Sequence, residues 1–354
     1  MQVQTNKLAK ACGKVARIKS NKDYPISDYI LLKFESETQS LLIRATDNYI
    51  FIECVIPCEG VEVDEEYIVE ASRFIKLVSK TTKDVISFAK KGNALNVKGN
   101  GSYKFELLDE DFTEVPDFSN AEVFNVDMKS LKPSILDAVK CKSSITGMPL
   151  ISGVCVNTES VWGTDSARFV SHDFPTGVGS RLVISDSLCT LIPCLDTEEA
   201  TMYVDRENEA CAIRCADTLV YGAIVPSPEL YPNLELLFSL EDKSIVTVNR
   251  HEVVQAIDRL SIFTDVTDTN ISIAIIEGGV GLTVGGKSIE NIAVKNMHEV
   301  IPTTLTVSMS GLKDIVSIME NDYIEIQYAK DIDSCSAVFI CDGIVASGVA
   351  IVEE

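Results

Sequence analysis

The sequence predicts an α+β fold made of three copies of one helix, strands, helix, strands unit, and three observations carry that prediction. Amphipathic helical segments begin near residues 7, 127 and 249, about 120 residues apart. Each is followed by alternating apolar and polar runs broken by short polar turns, the period-2 signature of half-buried strands. A second short helix and further strands complete each third. The expected boundaries are 1–121, 122–241 and 242–354.

The first helix is KLAKACGKVARI. Leu8, Ala11, Cys12, Val15 and Ile18 make one helical stripe, with Lys7, Lys10, Lys14 and Arg17 running beside it. LLIRATDNYIFIECVI reads as two strands around a polar turn. VEASRFIKLVSK reads as the second helix, with Arg73, Lys76 and Lys80 along one line and Phe74, Leu77 and Val78 along another. The strands of VISFAKKGNALNVKGNGSYKFELL close the first third.

The second third repeats the order. DMKSLKPSILDAVK is a helix with Asp127 placed to cap it, VCVNTESVWGTDSARFVSH supplies strands, SDSLCTLIPCL the second helix and ATMYVDRENEACAIRCADTLVYGAIV more strands. In the last third NRHEVVQAIDRLSIF has Asn249 as N-cap and Glu252 three residues on. ISIAIIEGGVGLTVGGKSIENIAV, SMSGLKDIVSIM and YIEIQYAKDIDSCSAVFICDGIVASGVAIV follow in the same order.

Composition narrows the function. The 354 residues carry a net charge of −22, which repels a DNA duplex from the molecule as a whole. The distribution is uneven: residues 1–120 have 16 Lys/Arg against 19 Asp/Glu, residues 121–240 have 8 against 16, and residues 241–354 have 7 against 18. Basic charge is therefore gathered in the first third. Hydrophobic content is 46%, yet no apolar run nears the 18 residues of a membrane span, and MQVQTNKLAKACGK has no apolar signal region. A cytoplasmic protein is expected. The 11 cysteines are odd in number and scattered through apolar strands, which suits reduced thiols acting as small hydrophobes. Their spacings, with the placement of the three histidines, fit no zinc site, so neither metal nor cofactor is expected.

One motif points elsewhere. GLTVGGKS, residues 281–288, satisfies the phosphate-loop pattern, and Asp342 ends a later apolar run. A nucleotide hydrolase using Lys287, Ser288 and Asp342 is the enzyme alternative, and a repeat scaffold that does not bind DNA is the other. The motif requires a strand before it and a helix after it. Here Gly278–Gly279 upstream signals a hairpin, and SIENIAVKNMHEVIP downstream is β-branched and runs into Pro302. GLTVGGKS falls where the first copy has ATDN and the second GTDS.

The ordered set LLIRATDNYIFI, EASRFIKLVSK, KFELLDEDFTEVPDF, LISGVCV, GTDSARF and LYPNLELLF resembles the bacterial β sliding clamps, the processivity subunits of replicative DNA polymerases, along the whole chain. Two departures stand out. Ser166-Ala167 replace a frequent Gly-His, and the tail GVAIVEE replaces a Met-Pro-Met-Arg type terminus.

The resemblance implies clamp-type domains with two helices inside and antiparallel sheets outside each. Two subunits would join head to tail as a ring around double-stranded DNA, held without sequence preference and without catalysis. It implies phosphate contacts from Lys7, Lys10, Lys14, Arg17, Lys22, Arg73, Lys76, Lys80, Lys129, Lys132, Lys140, Lys142 and Arg250, with Arg259 and Lys313 as poorer additions. A groove for partner peptides is implied at Ile151, Thr164, Ser166, Ala167, Arg168, Phe169, Pro232, Leu237, Val349 and Ile351. The dimer contact would set Phe105 and Leu107 against Ile262 and Phe263. Implied partners are a replicative DNA polymerase and an ATP-driven clamp loader, with no membrane.

Overall fold

The computed structural model describes residues 1–145, 147–196, 198–235, 242–264, 269–286, 288–331, 337–343 and 345–352. The α-helices that lie wholly among the described residues are α1 (Thr5–Val15), α2 (Ala71–Ser79), α3 (Met128–Cys141), α4 (Pro149–Ser152), α5 (Asp186–Cys189), α6 (Arg250–Leu260) and α7 (Met309–Ile318). The strand ladders are antiparallel hairpins and hairpin-to-hairpin pairings, as in Gln2–Gln4 with Val85–Lys91 and Phe51–Pro57 with Thr218–Ala223. The chain divides into two compact units: residues 1–132 with 184–226, and residues 133–183 with 227–354. No described helix is long and apolar enough to cross a membrane.

The first unit holds an eight-stranded sheet in the order Glu65–Glu70, Tyr29–Glu35, Ser40–Thr46, Phe51–Pro57, Thr218–Ala223, Ala210–Cys215, Glu199–Asp205, Glu122–Asp127. It is continuous across the expected boundary at 121/122, because Phe51–Pro57 pairs with Thr218–Ala223. A four-stranded sheet runs Gln2–Gln4, Val85–Lys91, Ala94–Lys98, Ser102–Glu106, which leaves Ser102–Glu106 as an edge. Helix α1 buries Leu8, Ala11, Cys12 and Val15 against Phe51–Pro57 and α2, but it ends at Val15, so Ile18, the fifth residue of the expected stripe, is half-buried in the turn beyond it. In α2, Phe74 and Val78 point inward, and Phe74 meets Phe105 edge-on at 5.7 Å.

The expected helix SDSLCTLIPCL shrinks to α5 and a 3-10 turn over Ile192–Cys194. Ser185 caps α5 by accepting from the Leu188 N–H at 3.3 Å. Pro193 then lacks the N–H that a continuing helix needs.

The second unit holds a nine-stranded sheet ordered Leu182–Ile184, Val154–Val156, Ser160–Thr164, Arg168–Asp173, Val345–Ala350, Ala337–Cys341, Tyr323–Ala329, Lys243–Asn249, Val294–His298. Arg168–Asp173 pairs with Val345–Ala350, joining residues of the second and third expected domains. Its four-stranded sheet runs Ser288–Ile292, Gly279–Val284, Asn270–Ile276, Thr303–Ser308. Asn249 caps α6 as its position predicts, accepting from the Glu252 N–H at 3.1 Å. Gly163 allows a close approach: a Cβ there would sit 2.3 Å from the Ala138 carbonyl oxygen in α3.

The repeat shows in its turns. Thr46 Oγ1 accepts from the Asn48 N–H at 3.0 Å, and Asp47 Oδ1 accepts from the N–H groups of Tyr49 and Ile50. Thr164 and Asp165 do the same for Ser166, Ala167 and Arg168. Asn48 and Ser166 both sit at positive φ, +84° and +77°. The ATDN and GTDS turns are thus one structure used twice.

The phosphate-loop alternative fails on local geometry. Gly279–Val284 and Ser288–Ile292 pair directly, Val284 opposite Ser288, so the motif is strand, turn, strand with no helix after it. Gly285 and Gly286 at positive φ serve the hairpin turn. Asp342 accepts N–H bonds from Glu320, Asn321 and Val345 and so fastens a loop. Lys287 lies outside the described residues.

Candidate nucleic-acid interface and partner groove

The expected basic residues fall into free and engaged groups. Lys7, Arg17, Lys22, Lys76, Lys80 and Lys129 are exposed and carry no ion pair among the described residues. Lys10 is exposed and reaches Asp196 at 3.2 Å, Arg73 reaches Glu70 at 3.0 Å, and Lys140 reaches Asp137 at 2.8 Å. Lys132 donates to the carbonyls of Pro193 and Leu195, closing the 3-10 turn. Lys142 and Arg250 are half-buried, with Arg250 donating to the Asn321 carbonyl at 3.1 Å. Arg259 and Lys313 pair with Glu290 and Asp258.

Lys14 corrects the sequence reading. It is 8% exposed rather than on a solvated stripe, and its ammonium meets Asp196 and Asp217 at 3.1 Å each and the Thr218 hydroxyl at 2.6 Å. Burial opposes its charge, but hydrogen bonds to Asp217 and Asp196 outweigh that and raise its pKa. The Asp196 carboxyl is likewise opposed by burial and is held below its ordinary range by Lys14 and Lys10. Helical spacing put Lys14 with its basic neighbours, whereas long-range pairing with residues some 200 positions away buried it.

The nine expected groove residues that are described all belong to the second unit, and four of them are buried. Thr164, Phe169, Val349 and Ile151 are buried, Ile351 is half-buried, and Ser166, Ala167 and Pro232 are exposed. Leu237 lies outside the described residues. Arg168 stands opposite Val349 in the ladder and forks onto Asp165 at 2.7 and 2.8 Å, with a further ion pair to Asp314 of α7. Its partial burial disfavours the charge, but the Asp165 hydrogen bonds prevail and raise its pKa. Phe169 meets Phe339 edge-on at 5.6 Å and covers Gly348, where a Cβ would fall 2.1 Å from the ring. At Ser166 the φ of +77° lies in the left-handed region that favours glycine. Asp314 is a residue that pattern reading missed, because nothing in the sequence links it to Arg168.

Of the expected dimer residues, Phe105 is buried on the edge strand Ser102–Glu106 and Leu107 is half-buried. Ile262 and Phe263, in the 3-10 turn after α6, are 77% and 64% exposed. Among the described residues no group of His, Cys, Asp or Glu could hold a metal ion.

Residues 1–119 match the family described as DNA polymerase III beta subunit, N-terminal domain. A beta sliding clamp of Chlamydia pneumoniae is 22% identical over 295 residues, 79% of each chain, and one of Bacillus subtilis is 23% identical over 280 residues, 73% of each. The crystal structure of the Bacillus subtilis DNA polymerase sliding clamp matches at a TM-score of 0.87 and 17% identity, covering 100% of this chain and 98% of that one. The DNA polymerase III subunit beta of Pseudomonas aeruginosa matches at 0.88 and 15% identity over the whole of both chains. Over residues 1–119 the chain matches the DNA polymerase III beta subunit N-terminal domain, and over its whole length it has the fold of solved sliding clamps.

Proposed function

We infer that the chain is a processivity factor: a non-catalytic sliding clamp that encircles duplex DNA and tethers a replicative polymerase and other partners to it. The observation that carries this reading is the likeness to solved sliding clamps, which covers the whole of this chain. The clamp is three domains, 1–121, 122–241 and 242–354, and two subunits close head to tail as a ring.

Free cations at Lys7, Arg17, Lys22, Lys76, Lys80 and Lys129 meet DNA phosphates, with the paired Lys10, Arg73 and Lys140 exchanging partners as DNA arrives. Phosphate contacts carry no sequence information, so such a ring slides. The acidic excess elsewhere keeps DNA off the remaining surface.

Ring closure is heterologous: one subunit's edge strand Ser102–Glu106, with Phe105 and Leu107, meets the partner's Ile262 and Phe263. Two adjacent large apolar side chains left in solvent support an interface there. Partner peptides dock over Ser166, Ala167 and Pro232, with Val349 and Phe169 beneath. An ATP-driven loader opens the ring, and the clamp needs no cofactor of its own. The experiment is a solution mass by light scattering at micromolar concentration. The expected value is near twice 38.7 kDa, and a monomer at every concentration contradicts a closed two-subunit ring.

A further inference from the structure

Asp137 and Lys140 stand one turn apart on α3, and Asp137 also faces a histidine that none of the surfaces above uses. Lys140 Nζ reaches Asp137 Oδ1 at 2.8 Å, while His172 Nε2 lies 3.4 Å from Oδ2, the other oxygen of the same carboxylate. The side chains are graded in depth: Lys140 is 46% exposed, Asp137 18% and His172 10%. Close packing sets the arrangement. Gly163, whose missing Cβ lets the α3 backbone at Ala138 close on the sheet, lies on the strand paired with that of His172.

Nε2 of His172 is buried and has no hydrogen-bond partner among the described residues. Buried polar atoms are seldom left so. The strands on either side place Val161 and Val345 opposite the histidine, and on its own strand Asp173 accepts from the Ser171 hydroxyl at 2.6 Å. Cys141, a turn beyond Asp137 on α3, has its thiol pushed up to about 12 by burial and stays neutral. The charges set against the ring are therefore Asp137 and, through it, Lys140. Burial works against the Asp137 charge, but His172 and Lys140 outweigh it and hold the carboxyl below its ordinary range.

We propose that His172 is a positioning residue for the phosphate contact of Lys140, and that it takes up a proton when Lys140 turns from Asp137 to DNA. This rests on the clamp reading, in which Lys140 exchanges partners as DNA arrives. A half-buried carboxylate left without its cation is costly. Imidazole is the group beside it whose charge changes near neutral pH. Once protonated, the ring carries hydrogen on both nitrogens, so Nε2 donates to Asp137 Oδ2 and replaces the ion pair that Lys140 gave up. The lysine is thereby released at lower cost. By linkage, DNA binding draws in a proton, and a lower pH strengthens DNA binding.

The test uses the full chain in two arms. In the first, without DNA, Lys140→Met stands for a lysine that has left. The drop in melting temperature on adding His172→Gln is expected to be larger at about pH 6 than at about pH 8 in that background, and to change less with pH when Lys140 is present. In the second, DNA retention at fixed salt is compared at the same two pH values. The wild type is expected to gain about fivefold more than His172→Gln on acidification, the low end of coupling between two sites. With Lys140→Met in both proteins that difference should vanish, whereas a merely structural histidine would leave it unchanged. The contributions of His251 and His298 cancel in the comparison. Equal pH dependence of retention in the wild type and His172→Gln overturns the proposal, as does a first-arm difference that ignores pH. The expected melts with no DNA retention at any pH uphold the pairing of His172 with Asp137 and overturn the DNA reading instead.

Discussion

Replacing Lys14 with Met separates two roles that helical spacing had merged. The variant keeps most of the side-chain stem in place and removes the ammonium that joins Asp196, Asp217 and Thr218. Removing one member of a buried ion pair costs about 3–5 kcal/mol. Asp196 and Asp217 keep 31% and 39% of their side-chain surface in water and regain hydration, so we reduce the figure to about 2 kcal/mol. That corresponds to a melting temperature lower by roughly 5 °C.

The effect depends on pH in a defined direction. Asp196 has a depressed folded pKa, so its pairing stabilises above the unfolded value of about 3.9 and is lost as pH falls through the folded one. Lys14 has a raised folded pKa, so its contribution is complete below about 10.4 and is lost only as pH rises through the folded value. The gap between wild type and variant is therefore level from about pH 5 to 10 and narrows towards pH 3. Urea melts across that range, with DNA retention measured against salt at pH 7, check both points. The variant should lose stability and keep the salt slope of DNA retention. An unchanged melt together with a slope lower by about 1 would mark Lys14 as a phosphate contact and refute the reasoning.

Three further outcomes follow from other positions. Lys76→Ala with Lys80→Ala should leave stability within about 0.5 kcal/mol and lower the salt slope by about 2, the inverse of the Lys14 variant, as melts and salt titrations will read. Gly163→Ala should cost about 2–3 kcal/mol in urea melts, because the new methyl meets the α3 backbone at Ala138 and backbone cannot swing aside as a side chain does. Ile262→Asp with Phe263→Asp should halve the solution mass without lowering helix content by circular dichroism, since both side chains are in solvent within one subunit.

Much of this fold was legible in the sequence because the signals were local and repeated. The apolar stripe of α1 from Leu8 to Val15, the Asn249 cap and the paired ATDN and GTDS turns each need only a few adjacent residues, and each occurs in the structure as its spacing predicts. The phosphate-loop motif could be set aside for the same reason, since its required helix was missing from the neighbouring residues.

Features that depend on distant pairing were not legible. Lys14 is buried by residues near 196 and 217, and Arg168 is tied to Asp314, contacts that no periodicity encodes. Of the described groove residues, Ser166, Ala167 and Pro232 are exposed and Arg168 and Ile351 partly so, whereas Thr164 and Phe169 lie on strands inside a nine-stranded sheet that is covered by residues distant in sequence. The sheets also run past the expected domain boundaries, through strand pairs whose partners lie more than a hundred residues apart.

The central claim is topological, and one measurement addresses it directly. The protein, with a clamp loader and ATP, is placed on nicked circular DNA, separated from free protein, and the circle is then cut once. A ring held by confinement stays on the intact circle and leaves through the new ends, so retention should fall to background after cutting. Equal retention before and after linearisation would mean that the chain grips DNA by affinity alone, and the sliding-clamp account would be wrong.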